Sequence, residues 1–239
     1  MSHKENDGQN ETSVSASSVC DARKAEDGEK NPGELSNGED LAWEEIRTEH
    51  IIQDEWIDFR RSAYRFPDGK VYEPFYSYSR RDYVVIVASD EEGRFLCVRQ
   101  FRQGIRKVTT EFPAGGIEGD DQEERRGDSQ GCGLSAPEAA LAAAERELLE
   151  ETGYRSEDWQ YLLSVPSNAT IADNYAHIFA ARNCRKCSAQ SLDETEFLKV
   201  RKYSADEMEA LIRRGEFQQA IHIMAWLLTR RGAGICHFY

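Results

Sequence analysis

The residues best equipped for chemistry form one run, Arg146-Glu147-Leu148-Leu149-Glu150-Glu151-Thr152-Gly153-Tyr154. On a helix Glu147 and Glu151 lie four positions apart and Glu150 lies three from Glu147, so all three carboxylates project from one side. Left uncompensated they repel. Arg146 can pair with Glu150 at i, i+4, which leaves Glu147 and Glu151 as an oxygen-rich pair that a hard divalent cation would neutralise. The alternative is a plain solvated surface. Against it stands an energetic objection: acids near a helix C-terminus oppose the helix dipole by about 0.3 to 1 kcal/mol each, and like charges at this spacing add a few tenths. A sequence that accepts such a cost is a candidate for function.

The elements that must position this run are legible around it. Ser135-Ala-Pro-Glu138 opens a helix, with serine as N-cap, proline in the first turn and Glu138 at the capping-box position. Alanine-rich sequence carries it through Glu151, and Gly153 stops it. Leu141 and Leu148, two turns apart, can anchor the opposite face in a core. Upstream, strands are expected at Glu44 to Ile52, Trp56 to Tyr64, Lys70 to Tyr78, Tyr83 to Ala88, Arg94 to Arg99 and Thr109 to Phe112. Pro67-Asp68-Gly69 and Asp90-Glu91-Glu92-Gly93 are turns. Pro113-Ala114-Gly115-Gly116 is expected to end regular pairing and to let the backbone approach something closely. Downstream come strands near Trp159 to Val165, Tyr175 to Ala181 and Phe197 to Tyr203. A second capping box at Ser204-Ala-Asp-Glu207 starts a helix that Gly215 ends, and a last amphipathic helix runs from about Gln218 to Arg230. Strands first with helices interspersed late give an α+β fold, a mixed α/β/α sandwich.

Composition narrows the classes. The chain of 239 residues has 30 basic and 44 acidic side chains and a net charge of −14, which repels nucleic acid and anionic membranes where no basic patch overrides it. No stretch approaches the roughly 18 apolar residues that span a bilayer, and the first residues lack the apolar run of a signal peptide, so a cytoplasmic protein is expected. Residues 1–42 hold ten acids, four bases and almost no large apolar side chain, the composition of a disordered acidic tail. Residues 117–132, with six acids and two arginines among glycines, have the composition of a solvated surface insertion. Of six cysteines only Cys184 and Cys187 form a C-x-x-C pair; with no second pair, ordinary reduced thiols are expected.

Glu138, seven intervening residues, then Arg-Glu-Leu-Leu-Glu-Glu-Thr-Gly-Tyr resembles the C-terminal part of the Nudix box, G-x5-E-x7-R-E-U-x-E-E-x-G-U, with U bulky and apolar. Glu111-Phe-Pro-Ala-Gly115-Gly116-Ile and Val98-Arg99-Gln100-Phe101-Arg102 resemble segments of the ADP-ribose pyrophosphatase branch of that family. Leu192 to Val200 resembles its acidic loop. The likeness covers roughly residues 43 to 230. One departure is plain: Gly116 and Glu138 are 22 positions apart rather than six, an insertion of sixteen residues, and it leaves both helix capping and a site role open for Glu138.

The resemblance implies a Nudix fold with an N-terminal antiparallel strand region at 43–82, a dimerisation region with exchanged strands, and a hydrolase domain at 83–232. It implies a homodimer that hydrolyses the pyrophosphate of a nucleoside diphosphate derivative with Mg2+, or Mn2+ as a substitute. Glu147 and Glu151 would be the main metal ligands, Glu150 an auxiliary ligand or partner of Arg146, and the carbonyl of Ala114 a further ligand. The base would be Glu196, with Glu194 second, because carboxylates committed to a metal keep little basicity. Arg102 would hold phosphate and Glu111 would line the substrate site. Trp56 is the candidate for stacking a nucleobase, with Trp43 and Phe59 as alternatives and core packing equally open to each. ADP-ribose, cut to AMP and ribose 5-phosphate, is the leading substrate. ADP-glucose and GDP-mannose would use the same glutamates, and a non-catalytic ligand-binding module is the remaining alternative.

Overall fold

A computed structural model describes residues 41–118 and 138–230 of the chain. The acidic tail up to residue 40, most of the polar insertion, the capping residues Ser135 and Pro137, and the last nine residues lie outside the described residues.

Eleven strands and three helices make up the described residues. The first three strands, β1 (Glu44–Gln53), β2 (Asp58–Arg65) and β3 (Val71–Ser79), form an antiparallel sheet in that order. The turn at residues 66–70 closes the second hairpin, where Gly69 takes φ 83°, a left-handed conformation open to glycine at little cost. Only Ser62 and Ala63 of this sheet are buried.

The remaining strands build an eight-stranded mixed sheet from β4 (Tyr83–Asp90), β5 (Phe95–Arg102), β6 (Lys107–Glu111), β7 (Ala114–Gly116), β8 (Tyr154–Arg155), β9 (Asp158–Pro166), β10 (Tyr175–Lys186) and β11 (Leu198–Tyr203). Its spine runs β11-β5-β4-β10-β8, with β6 on β5, β7 on β4 and β9 on β10. The central pair β4 and β10 is parallel. That explains the near-continuous apolar run of β4, which is covered on both faces. Successive residues divide between two cores. Val84, Ile86 and Ala88 pack with Leu96 and Phe179 against Ala140, Ala144 and Leu148 of α1 (Glu138–Thr152). Val85 and Val87 pack with Cys97 and Ile178 against Met208 and Leu211 of α2 (Ala205–Arg214) and Ala225 and Trp226 of α3 (Ala220–Arg230). One helix on one face and two on the other give the α/β/α sandwich expected from the order of elements.

The caps of α2 match their chemistry. Ser204 accepts from the Glu207 N–H, the Glu207 carboxylate accepts from the Ser204 N–H, and Gly215 closes the helix at φ 70°. Gly153 does the same for α1 at φ 74°. Cys184 and Cys187 are free thiols, as expected of an unpaired C-x-x-C. Among the described residues no helix is long and apolar enough to cross a membrane.

One expectation needs correction, and one short strand is new. Pro113 to Gly116 does not end pairing: Ala114, Gly115 and Gly116 lie opposite Val85, Val84 and Tyr83 as a short antiparallel strand. The proline interrupts only itself, and the glycines remain extended because a central strand supplies partners, which local sequence cannot reveal. The two-residue strand Tyr154–Arg155, paired with the end of β10, has no sequence signal of its own.

Candidate metal and substrate site

The last two turns of α1 end beside β7, and packing of that helix decides where the acids point. Ala140, Ala144 and Leu148 face the core, and burying Leu148 completely contributes about 2 kcal/mol toward holding that rotation. Glu147 and Glu151 then fall toward β7 rather than into solvent. They are 6% and 2% exposed.

Glycine makes this burial geometrically possible. A Cβ on Gly115 would lie 2.0 Å from the carboxylate carbon of Glu147, so only a bare backbone leaves room for that group. The Ala114 N–H donates to Glu151 Oε2 at 3.0 Å. The resemblance implies a role for the Ala114 carbonyl, whereas the contact seen here is made by its N–H. Arg146 ties helix to strand: Nη2 donates to the Gly116 carbonyl at 2.9 Å and lies 2.8 Å from Glu147 Oε1, while Nη1 donates to Glu150 Oε2 at 2.8 Å. Glu150 is thus the partner of Arg146 and stands outside the acid cluster.

The third member of the cluster comes from far along the chain. Glu196, half-buried in the turn before β11, offers an oxygen that lies with those of Glu147 and Glu151 inside a mutual span of 4.8 Å. Glu194 is exposed and is not one of the three. Burial pushes the Glu147 carboxyl up to about 7; Arg146 works against the rise, and Glu150 and Glu196 add to it. Glu151 is raised well above the ordinary carboxylate range, again by burial, with the Ala114 N–H opposing and Glu147 and Glu196 reinforcing. Three converging carboxylate oxygens, two of them on buried acids with raised proton affinity, are an unsatisfied anionic site, and a hard divalent cation with oxygen preference fits it.

Beside the acids lies a second polar pair. Arg102, at the end of β5, donates from Nε to both oxygens of Glu111 at 3.0 Å and from Nη2 to Oε2, and Thr109 donates to the same carboxylate. Glu111 is fully buried; desolvation alone would raise its pKa, yet the Arg102 hydrogen bond and charge prevail and hold it below the usual range. Arg102 also feels the charge of Glu151, and its side chain stays 34% exposed.

The aromatic candidates separate. Trp43 stacks on Phe66 at 4.0 Å and Phe59 on Tyr76 at 5.7 Å, so both rings are engaged within the first sheet. Trp56 is 68% exposed in the turn between β1 and β2, where Asp54 accepts from its N–H. Asp173, in the loop before β10, accepts from Arg60 and Ser79 and so links that loop to the first sheet.

One buried polar contact has no counterpart in the sequence reading. His222 of α3 accepts the Phe112 N–H on Nδ1 at 3.1 Å, and burial lowers its pKa to about 4. No sequence pattern marks it: a lone histidine on an amphipathic helix looks like any other core position.

The sequence of the NUDIX domain is matched over residues 79–227. The chain is 26% identical over 182 residues to an ADP-ribose pyrophosphatase of Bacillus subtilis (strain 168), covering 73% of this chain and 85% of that one. It is 26% identical over 188 residues to a methanol dehydrogenase activator of Bacillus methanolicus, covering 75% and 88%. An ADP-ribose pyrophosphatase of Mycobacterium tuberculosis (strain ATCC 25618 / H37Rv) is 25% identical over 187 residues, covering 76% and 80%. In three dimensions the chain is similar to the crystal structure of an ADP compounds hydrolase, with TM-score 0.63 at 20% identity over 79% of this chain and 92% of that one.

Proposed function

This chain belongs to the NUDIX domain family, and from that premise we propose that it is a Mg2+-dependent pyrophosphatase that hydrolyses ADP-ribose to AMP and ribose 5-phosphate. The observation that carries the reading is the convergence of Glu147, Glu151 and Glu196 within 4.8 Å, two of them buried with raised proton affinity. Glu147 and Glu151 are assigned as metal ligands. A bound Mg2+, or Mn2+ in its place, supplies charge stabilisation to the phosphate oxygens and lowers the pKa of coordinated water.

The chain's own residues supply the rest. Glu196 takes the proton of the attacking water as a P–O bond of the pyrophosphate breaks; its half-burial leaves an oxygen open to that water, and Glu194 lacks the neighbours. Glu150 keeps Arg146 in place, and Arg146 braces Glu147 and the Gly116 carbonyl. The Ala114 N–H orients Glu151. Arg102 offers the exposed part of its guanidinium to substrate phosphate, pre-set by Glu111, which confines the fork to one geometry. Trp56 is assigned to stack the nucleobase, on the strength of its exposure.

The exposed apolar side chains of the first sheet, Ile46, Ile52, Tyr72 and Tyr76 among them, support a homodimer formed through the strand region 43–82, with the hydrolase domain at 83–232. The acidic composition of the first 42 residues supports a tail outside that domain, and the chain is placed in the cytoplasm on the strength of its sequence. The decisive measurement is turnover across ADP-ribose, ADP-glucose and GDP-mannose with and without Mg2+. ADP-ribose is expected to be the best substrate and to need the metal. Faster turnover of either sugar nucleotide would replace the substrate, and metal-independent turnover would remove the mechanism.

A further inference from the structure

Between β6 and β7 the chain crosses two residues, Phe112 and Pro113, that belong to neither strand. These two residues link the Arg102–Glu111 pair on one side to Ala114, whose N–H holds Glu151, on the other. Their backbone therefore sets the spacing between the two polar halves of the site. Pro113 has no N–H, and its carbonyl is anchored by the Ile86 N–H at 3.0 Å. The Phe112 N–H is buried, and a buried donor without a partner is strongly disfavoured. No strand supplies its acceptor. His222 does, from a different layer of the sandwich, through Nδ1 at 3.1 Å.

The imidazole is built in for that purpose. Its ring lies parallel to Phe112, 4° between planes at 6.4 Å, and edge-on to Phe217 at 6.3 Å, and the residue is 4% exposed. Because the Phe112 N–H is the donor, Nδ1 must be unprotonated, in keeping with the effect of burial on this ring. An aliphatic side chain could fill the same space in an otherwise apolar helix face, where Trp226 and Ala225 pack, but would leave the amide unanswered.

We propose that His222 is a positioning residue of the site: by accepting the Phe112 amide it fixes the crossing between β6 and β7, and thereby the height at which Ala114 and Gly115 meet Glu151 and Glu147. The inference rests on the metal-dependent reading above. It makes α3 a part of the site through the Phe112 amide, although that helix contributes no member of the cluster Glu147, Glu151 and Glu196.

Two isosteric replacements test it. In His222→Asn the amide oxygen stands near the position of Nδ1 and can accept the same hydrogen bond; in His222→Gln the oxygen reaches the position of Nε2 and cannot. Both are polar, so a purely structural role would affect them alike. The readouts are affinity for Mn2+ alone by titration, exchange of the Phe112 amide in metal-free protein, and kcat and KM for ADP-ribose. For His222→Gln, Mn2+ affinity and kcat are expected to fall about tenfold, the loss usual for residues that orient metal ligands. KM should change little and the Phe112 amide should exchange at least about tenfold faster. For His222→Asn all of these should stay within about threefold of wild type. Equal behaviour of the two variants, or wild-type Mn2+ affinity in His222→Gln, overturns the proposal. A wild-type chain that binds Mn2+ but cleaves no nucleoside diphosphate derivative would instead defeat the hydrolase reading, and the Mn2+ and amide measurements would still decide the role of His222.

Discussion

The two sheets solve the problem of stability in opposite ways. The eight-stranded sheet is covered on both faces, and β4 alone divides five buried apolar residues between two cores. The three-stranded sheet buries only Ser62 and Ala63. It is held by rings that stack on one another, such as Trp43 on Phe66 and Phe66 against Tyr72 at 4.7 Å, and by exposed pairs such as Arg65 with Glu44 at 3.2 Å. Pairs of that kind are worth roughly 0 to 1 kcal/mol. A deep core can tolerate buried carboxylates with raised proton affinity; a sheet without one cannot. The division places the buried acid cluster on the first, and the proposed function gives recognition and association to the second.

The largest expected effect tests the catalytic half. Glu151→Gln keeps shape and removes charge, so turnover should fall at least about a hundredfold while the protein stays folded; comparable activity in the mutant would reject the assignment. Gly115→Ala comes next. Its methyl would occupy the space of the Glu147 carboxylate, and activity should drop by about tenfold or more together with Mn2+ affinity, the scale of loss for displaced metal ligands. Unchanged affinity would mean that Glu147 has slack elsewhere.

The recognition half predicts a different signature. Trp56→Ala should raise KM by about two- to tenfold, the value of one aromatic contact, and leave kcat alone. A loss confined to kcat would erase the distinction between the sheets.

The smallest effect is electrostatic. In metal-free protein the Glu147 carboxyl is raised to about 7 from an unfolded value near 4.5, so the folded state binds the proton more tightly. The associated stability is fully present below the unfolded pKa and is lost as pH rises through about 7. His222, lowered to about 4, has the opposite sign: its contribution is present above its unfolded pKa near 6.5 and is lost as pH falls toward 4. Comparing Tm of wild type and Glu147→Gln isolates the first term. Wild type should lose about 3 °C or more relative to the variant between pH 5 and pH 8, and Mg2+ should restore it at the higher pH. A difference that does not vary with pH would contradict the raised proton affinity.

Much of this was legible in the residues. The second capping box, the stops at Gly153 and Gly215, and most strands follow from period and punctuation, because caps and turns are satisfied within a few residues. Glu147 and Glu151 could be paired from helical spacing alone. The role suggested for Gly115 was legible in kind only: a close approach was readable, but the group that approaches is Glu147, which the turn's own sequence does not name. Strand β7 was misread because its partner is 29 residues upstream, Val85 for Ala114, and two glycines carry no strand propensity.

The sequence by itself determined which atoms are available: three helical carboxylates with an arginine to restrain one of them, and an apolar stripe to turn the helix. Only the tertiary structure decided which acids meet. Glu196 joins Glu147 and Glu151 across 45 residues while Glu150 does not, Arg102 locks onto Glu111, and His222 answers an amide 110 residues away. The physical reason is that spacing along a helix is fixed by backbone geometry, whereas meetings between elements depend on how the layers pack and on which buried polar groups then need a partner.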